Sequence, residues 1–146
     1  MVEKLFKHLY IKLFQEGDFV SHAGLPLTWK IECDALSIDD WRCLAKMIME
    51  YQTKPFRIAV GIPRGGVKLE NELLNYVSGN KDDPVLIVDD VWTTGSSFNE
   101  FVGIQSIEKI VENKGWFGWC VFARTTTNNH VTALFQMPEA YGHPGS

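Results

Sequence analysis

The sequence predicts an α/β fold: an open, mainly parallel, twisted sheet with helices on both faces. Continuous apolar runs alternate with amphipathic segments from about residue 37 onwards, which is typical of parallel strands that are buried on both faces. Two of these runs stop at loops rich in glycine and polar residues, "PRGG" and "DDVWTTGSS". A chain of 146 residues with 45% hydrophobic content can also build one domain with its own core.

The amino-terminal third predicts a helix followed by two short strands. Apolar residues recur at three- and four-residue spacing from Val2 to Glu16, which indicates an amphipathic helix that ends at Gly17. Phe19-Val20 is apolar, the run from Trp29 to Cys33 alternates apolar and charged residues, and a turn that contains glycine and proline separates the two. These two runs predict strands.

The later elements follow the alternation of strands and helices. A helix is expected after Ser37, because Asp40 three residues later resembles a capping box and an apolar stripe follows it. Three buried strands and two further helices come next. The strands are Arg57 to Ile62, Val85 to Val88 and Trp116 to Arg124, and the helices between them are Val67 to Tyr76 and Ser97 to Asn113.

Charge and composition argue against several classes of function. The net charge of -4 and the pI near 5.5 argue against a nucleic-acid surface, which needs clustered basic residues. No apolar run reaches the roughly 18 residues that span a membrane. The three scattered cysteines fit a reducing compartment, in which thiols behave as small apolar residues. We therefore expect a cytoplasmic protein that binds neither nucleic acid nor a membrane.

The loop after the second buried strand predicts a site for a phosphate ester. Ligands of open α/β sheets bind beyond the carboxyl ends of the strands. Glycine and hydroxyl side chains at a helix start can direct backbone amides and hydroxyl donors at one phosphate group. The candidate residues are Thr93, Thr94, Gly95, Ser96 and Ser97.

Two carboxylates directly precede this loop and need a different partner. Asp89 and Asp90 could accept hydrogen bonds from the vicinal hydroxyls of a ribose, or orient the water shell of Mg²⁺. A ribose 5-phosphate carries both a diol and a phosphate, so it would satisfy both parts of the motif. The alternative is a solvated strand end followed by an ordinary helix cap.

"VLIVDDVWTTGSS" resembles the phosphoribosyl-pyrophosphate (PRPP) signature of type I phosphoribosyltransferases, and "GIPRGG" is similar to the pyrophosphate loop of that family. The resemblance implies that Arg64, Gly65 and Gly66 bind the pyrophosphate of PRPP and that residues 93–97 bind its 5-phosphate. Elementary chemistry agrees, because glycine permits close backbone approach and Arg is a strong donor to phosphate. Taken alone, "PRGG" also fits a plain turn with an exposed Arg.

The amino-terminal third is similar to the orotate phosphoribosyltransferases within this family. "EGDFVSHAGLPLTWKIECDAL" matches their Phe-containing strand, Ser-Gly turn and aromatic strand. The resemblance implies a single domain, 1–146, with a small hood at about 17–36 and a core at about 37–135. One departure is clear: after Gly66 the chain has room for one helix and "SGNKDDP", and little for the mobile basic loop that closes the orotate enzymes.

The resemblance implies an enzyme that transfers ribose 5-phosphate from PRPP to a nucleobase, with an orotate-like pyrimidine as the expected base, and releases pyrophosphate. Asp89, Asp90 and Arg64 would be its catalytic residues, and Mg²⁺ its cofactor, held by the two aspartates through water. Its partners would be PRPP and a nucleobase or nucleoside monophosphate, and family habit implies a homodimer. The alternative is a non-catalytic PRPP- or nucleotide-binding regulatory protein on the same fold, which the missing loop favours.

Three residues are candidates for the base site. Trp29 in the hood, or Phe135 after the third strand, could stack on a base, and Arg124 at the end of that strand could contact the base or a phosphate. The competing interpretations are core packing for either aromatic residue and an exposed strand end for Arg124.

Overall fold

The structure, a computed structural model, describes residues 13–20 and 26–137. The chain divides into two compact units, one of Met1–Ser37 with Pro138–Ser146 and one of Ile38–Met137. Most of the predicted amino-terminal helix lies outside the described residues. The single domain and the boundaries of the hood and core stay predictions.

The first unit contains a two-stranded antiparallel sheet. Strand β1 (Phe14–Val20) pairs with β2 (Pro26–Ile31), and a 3₁₀ turn follows at Cys33–Ala35. Both predicted strands of this region are therefore present, and both begin earlier in the chain than the sequence indicates.

The predicted end of the amino-terminal helix is wrong. Phe14 and Glu16 already pair with β2 in an extended ladder, so the backbone cannot be helical there. The register shifts between Glu16 and Phe19, which places Gly17 in an irregularity of the strand instead of at a helix end.

The second unit is built on a four-stranded parallel sheet in the order β3-β4-β5-β6. Its strands are β3 (Ile58–Gly61), β4 (Val85–Trp92), β5 (Trp116–Ala123) and β6 (Val131–Gln136). Its helices are α1 (Ile38–Tyr51), α2 (Val67–Leu73), α3 (Ser96–Val102) and α4 (Gln105–Val111), and a 3₁₀ turn at Leu74–Tyr76 follows α2.

Helices cover both faces of this sheet. On one face, Phe98 of α3 packs in an apolar cluster with Ile87 and Cys120 of the central strands. On the other face, the indole of Trp119 donates a hydrogen bond at 3.0 Å to Gln52, the residue after α1. The apolar runs of β3, β4 and β5 reflect this burial between helices, and the predicted α/β class is confirmed.

Strand β4 is longer than the sequence predicts. The apolar run stops at Val88, but the parallel ladder with β5 continues to Trp92, with Asp89 opposite Cys120. The acid pair therefore lies in a strand and not in a loop. Because successive side chains of a strand alternate, Asp89 and Asp90 point to opposite faces of the sheet.

The predicted helix from Ser97 to Asn113 is two helices. The backbone of Ile104 is extended, with φ of -69° and ψ of 131°, and it separates α3 from α4 just after Gly103. The apolar spacing continues across the break, so the spacing alone does not reveal it.

The fourth strand, β6, is missing from the sequence prediction. It pairs with β5 in parallel, with Val131 opposite Gly118 and Phe135 opposite Phe122. Only its first residue is fully buried, so it lacks the continuous apolar run by which the other strands are recognised. Within the part of the chain that the structure describes, no helix is long and apolar enough to cross a membrane.

Candidate functional site

The "PRGG" loop begins where β3 ends and is tied to its surroundings by backbone amides. The amide of Ile62 donates to the carbonyl of Val88 in β4 at 2.8 Å, and the amide of Gly66 donates to the carbonyl of Ile62 at 2.8 Å. The amide of Gly61 donates to Glu70 Oε1 of α2 at 2.7 Å. These bonds hold both ends of the loop.

Gly65 brings this loop against the acid pair. A Cβ atom added at Gly65 would lie 2.4 Å from Asp90 Oδ2 and 2.5 Å from Asp90 Oδ1, so no side chain fits between the loop and the carboxylate. The "PRGG" loop and the acid pair, which the sequence assigns to one site, therefore do meet. They meet at the carboxyl ends of β3 and β4, which are neighbouring parallel strands.

Asp89 is the more buried member of the acid pair. Its side chain is 7% exposed, its Oδ1 accepts a bond from the amide of Asp90 at 2.8 Å, and Asp90 Oδ1 accepts one from the amide of Val91 at 2.8 Å. Burial, the charge of Asp90 and a hydrogen bond with its side chain raise the pKa of Asp89 from 3.8 to about 8. Asp89 thus keeps its proton at neutral pH in the unliganded protein. It is not a solvated strand end.

The "TTGSS" loop leaves hydroxyl groups at the surface. Thr94, Ser96 and Ser97 are exposed, and the hydroxyl of Thr94 donates to that of Ser96 at 3.0 Å. Gly95 takes a left-handed backbone with φ of 85° and directly precedes α3. Glycine has no side chain with which to cap the helix, and the amide of Ser96 instead donates to Thr94 Oγ1 at 3.4 Å, a long bond that a phosphate oxygen could replace.

Trp92 and Thr125 support this loop, and neither is predicted from the sequence. A Cβ atom added at Gly95 would lie 2.5 Å from the Trp92 ring, so the indole lies directly against the loop. The indole Nε1 donates to Thr125 Oγ1 at 3.2 Å, and the Thr125 hydroxyl donates to the carbonyl of Thr93 at 2.6 Å. The position of Trp92 near the acid pair in the sequence is a signal that could have identified it. Thr125 is remote in sequence, and no local pattern points to it.

The two arginines assigned to the site differ in exposure. Arg64 is exposed in the "PRGG" loop, and no carboxylate of the described residues forms an ion pair with it. Arg124 is 5% exposed, and burial lowers the pKa of its guanidinium. The interpretation of Arg124 as an exposed strand end is wrong, because its amide bonds to the carbonyl of Trp92 at 2.8 Å and carries the β4–β5 pairing one residue further.

The aromatic candidates for the base site lie in different units. Phe135 lies in β6 and stacks on Phe122 of β5, with ring centroids 5.5 Å apart, while 38% of Phe135 stays exposed. Phe122 is on the same face of the sheet as Asp89, because Asp89 pairs with the residue two positions before Phe122. Trp29 lies in β2 of the first unit, and its role stays a prediction.

Cys120 is a buried thiol opposite the acid pair. It pairs with Asp89 across β4 and β5 and is fully buried. Burial, with the charges of Asp89 and Asp90, raises the pKa of the Cys120 thiol to about 12. A thiol that stays protonated is a poor nucleophile, so Cys120 acts as a small apolar residue.

The acid pair offers oxygen atoms that suit Mg²⁺. Each carboxylate has one oxygen bonded to a backbone amide, and a hydrogen bond between the two side chains would give way to a ligand. Among the described residues, no cluster of three or more His, Cys, Asp and Glu side chains exists that could hold a metal. Water and ligand oxygens would therefore complete the shell, as Mg²⁺ prefers. The donor set fits Mg²⁺ held through Asp89 and Asp90.

The connection between the two loops is short. Residues 67–84 form α2, the 3₁₀ turn and an irregular stretch that leads into β4. That stretch is closed by its own polar contacts, since the Ser78 hydroxyl donates to Asp83 Oδ2 at 2.7 Å and the Asp82 amide donates to Asn80 Oδ1 at 3.0 Å. These residues contain no extended basic loop.

A cavity of about 440 Å³ lies at the opposite end of the strands. It is lined by residues that precede β3, β4 and β5, namely Arg57, Lys81, Asp82, Asn113 and Lys114. Ligands of parallel sheets bind beyond the carboxyl ends of the strands, so this cavity is not the candidate site.

The fold is similar to that of solved phosphoribosyltransferase structures. Orotate phosphoribosyltransferase from Aeropyrum pernix is 16% identical with a TM-score of 0.68, over 94% of each chain. UMP synthase of Leishmania donovani is 16% identical with a TM-score of 0.69, over 92% of this chain and 36% of that one. Orotate phosphoribosyltransferase of Mycobacterium tuberculosis H37Rv, in complex with inorganic phosphate, is 12% identical with a TM-score of 0.64, over 91% of this chain and 94% of that one.

No protein-family sequence model matches the chain, and no curated protein matches it by sequence. At identities of 12% and 16% the likeness establishes the fold. The chain has the type I phosphoribosyltransferase fold, related to that of the orotate enzymes, and the resemblance drawn from the sequence is confirmed at that level.

Proposed function

We propose that this protein is a phosphoribosyltransferase, which moves ribose 5-phosphate from PRPP to a nucleobase and releases pyrophosphate. The observation that carries the proposal is the contact between Gly65 and Asp90. This contact brings the "PRGG" loop, a candidate for phosphate binding, against the acid pair at one edge of the sheet. The second candidate phosphate loop, residues 93–97, follows the acid pair closely in the chain. PRPP carries phosphate groups at both ends of a ribose diol, in the same order.

Each part of PRPP has a partner in this arrangement. The amides of the "PRGG" loop and the exposed Arg64 would bind the pyrophosphate, because Arg64 forms no ion pair with the described residues and Arg is a strong donor to phosphate oxygens. Asp89 and Asp90 would accept hydrogen bonds from the ribose hydroxyls. Residues 93–97 would bind the 5-phosphate through amides and exposed hydroxyls.

The chemistry follows from these positions. The bond from the ribose C1 to the pyrophosphate oxygen breaks, a nucleobase nitrogen forms the new bond to C1, and positive charge develops on the sugar. Asp90, together with Asp89 once ligand binding has displaced its proton, supplies negative potential next to that charge, and Arg64 stabilises the departing pyrophosphate. Bound Mg²⁺ would supply further positive charge to the pyrophosphate. The 93–97 loop holds the far end of the sugar, so binding energy positions C1.

We propose an orotate-like pyrimidine as the base. Arg124 is a buried cation at the carboxyl end of β5, where it would pair with an anionic base, and the ring of Phe135 offers a partly exposed stacking surface. The solved structures from Aeropyrum pernix and Mycobacterium tuberculosis are orotate phosphoribosyltransferases, which supports the same class of substrate. The homodimer and the cytoplasmic location stay predictions.

Titration calorimetry with PRPP and Mg²⁺, followed by a pyrophosphate-release assay across a panel of bases, tests the proposal. We expect PRPP to bind and orotate to trigger release. Asp90→Asn and Arg64→Ala should each lower the release rate by about 10²-fold, since removing one well-placed charged group of such a site costs a few kcal/mol. PRPP that does not bind, or that binds unchanged to the Asp89→Asn/Asp90→Asn double variant, would overturn it.

A second function is a PRPP- or nucleotide-binding regulatory protein that lacks the chemistry. The observation in its favour is the short 67–84 connection, which contains no loop to close over the reacting centre and exclude water. The same assay separates the two functions. Tight PRPP binding without pyrophosphate release by any base would establish the regulator and exclude the transferase.

A further inference from the structure

We propose that Thr125 is a positioning residue for the phosphate loop, residues 93–97, and that Trp92 and Gln136 act with it as one clamp. The inference rests on the proposed function, because the ligand of this loop is taken to be the phosphate of a phosphorylated ribose. Thr125 would not touch that ligand. It would act through the backbone of Thr93 and through the indole that lies against Gly95.

Thr125 makes two hydrogen bonds with its one hydroxyl group. The hydroxyl donates to the carbonyl of Thr93 at 2.6 Å, which fixes the first residue of the phosphate loop. The same oxygen accepts the indole Nε1–H of Trp92 at 3.2 Å. Because the single hydroxyl proton is used on Thr93, the indole must be the donor in the second bond, and the direction of both bonds is settled.

Trp92 transmits this bond to the middle of the loop. It is 5% exposed, and its ring lies against Gly95 on one side and contacts Phe98 at 5.6 Å between centroids. A buried indole N–H needs an acceptor, and Thr125 provides it. The orientation of the ring, and with it the position of Gly95, therefore depends on the Thr125 hydroxyl.

Gln136 fixes Thr125 itself. The side-chain amide of Gln136 donates to the carbonyls of Thr125 and Met137, each at 3.1 Å, and the amide of Met137 donates to the carbonyl of Ala123 at 2.8 Å. The end of β6 thus holds the segment that follows β5. A continuous path of hydrogen bonds runs from β6 through Thr125 to the first residue of the phosphate loop.

This path of hydrogen bonds ends on the backbone of the phosphate loop and leaves the loop's hydroxyl groups exposed. Thr94, Ser96 and Ser97, which carry the hydroxyls, are exposed. A loop whose backbone is already ordered loses less conformational entropy on binding, so it binds the same ligand more tightly. We therefore expect loss of the Thr125 hydroxyl to weaken phosphate binding without removing any contact to the phosphate.

Thr125→Val removes the hydroxyl at constant shape, Thr125→Ser keeps it, and Thr132→Val makes the same change at an exposed position of β6. Calorimetry would give Kd values for two probes, ribose 5-phosphate for this loop and inorganic pyrophosphate for the "PRGG" loop. We expect Thr125→Val to weaken the binding of ribose 5-phosphate by about tenfold and the binding of pyrophosphate by less than about twofold. The reason is that the substitution removes two hydrogen bonds that support only the 93–97 loop. Thr125→Ser and Thr132→Val should bind both probes as the wild type does.

Amide hydrogen exchange without ligand tests the clamp independently. Exchange across residues 93–97 should be about tenfold faster in Thr125→Val and unchanged in Thr125→Ser. The clamp would be overturned if Thr125→Val weakened the binding of both probes equally, or if residues 93–97 of this variant exchanged at the wild-type rate. Either result would leave the proposed function in place. Failure of the wild-type protein to bind either probe would overturn the proposed function. In that case, faster exchange in Thr125→Val would show only that Thr125 supports the loop structurally, and its role in positioning the loop for phosphate would be wrong.

Discussion

The two phosphate loops of the site are held in different ways. The "PRGG" loop is held through its backbone: its amides bond to the backbone of β4, to the loop itself and to Glu70 of α2, and Gly65 lets it lie against Asp90. The "TTGSS" loop is held through side chains, Trp92 from its own strand and Thr125 from the segment after β5.

This difference decides which substitutions each loop tolerates. A loop that is held by its backbone fails when a side chain is added, because its neighbours occupy the space where a Cβ would stand. A loop that is held by side chains fails when a distant hydroxyl or ring is removed. The first kind of support can be predicted from the loop's own sequence, and the second cannot.

The largest effect is expected when Gly65 gains a side chain. In Gly65→Ala the new Cβ would lie 2.4 to 2.5 Å from the Asp90 carboxylate, so that carboxylate or the loop must move. Because the two halves of the site meet there, both lose their geometry. We expect the rate of pyrophosphate release to fall by at least about 10²-fold and the binding of pyrophosphate to weaken with it.

Gly103→Ala is the matched control. Gly103 has φ of -81°, and a Cβ there would meet its nearest atoms at 3.4 and 3.5 Å, which is ordinary contact. This variant should keep its activity and gain up to about 1 kcal/mol in the free energy of unfolding. If Gly65→Ala behaved like Gly103→Ala, the contact between the two loops would not matter for function.

The sequence predicts the parts of the fold that carry their own signal. Strands β3, β4 and β5 are recognised because burial makes them apolar, and β6 is missed because most of its residues are only partly buried or exposed. The break between α3 and α4 is hidden because apolar residues keep their spacing across Gly103. In the site, "PRGG" and "DDVWTTGSS" are found, whereas the burial of Arg124 and the role of Thr125 depend on tertiary contacts that no local pattern encodes.

The strand between the loops should make stability depend on pH. The pKa of Asp89 is raised from 3.8 to about 8, so the native protein holds a proton that the unfolded chain has already released. Stability contributed by this group therefore falls as pH rises from about 4 to about 8. Asp89→Asn removes the ionisation, so the variant should gain stability relative to the wild type by about 4 kcal/mol between pH 5 and pH 8.

Denaturant unfolding at several pH values between 5 and 8 measures this gain. Asp39→Asn is the matched control, because it makes the same substitution at an exposed carboxylate on α1. A constant difference between Asp89→Asn and the wild type over this range would show that Asp89 is ionised in the native protein. The acid pair would then be fully charged before any ligand binds.

The smallest effect is expected from Glu70, whose side chain supports the start of the "PRGG" loop. Its carboxylate accepts the amide of Gly61 at 2.7 Å, but the remaining bonds of the loop are between backbone groups and survive in Glu70→Ala. Pyrophosphate binding should weaken by about threefold to fivefold, since one charge-assisted hydrogen bond contributes about 1 kcal/mol net. Ribose 5-phosphate binding should stay within about twofold of the wild type, which is the reverse of the pattern expected for Thr125→Val.

Glu108→Ala removes an exposed carboxylate on α4 and controls for the loss of charge. If Glu70→Ala weakened the binding of both probes equally, the hydrogen bond between Gly61 and Glu70 would stabilise the whole unit. The two loops would then not be held independently.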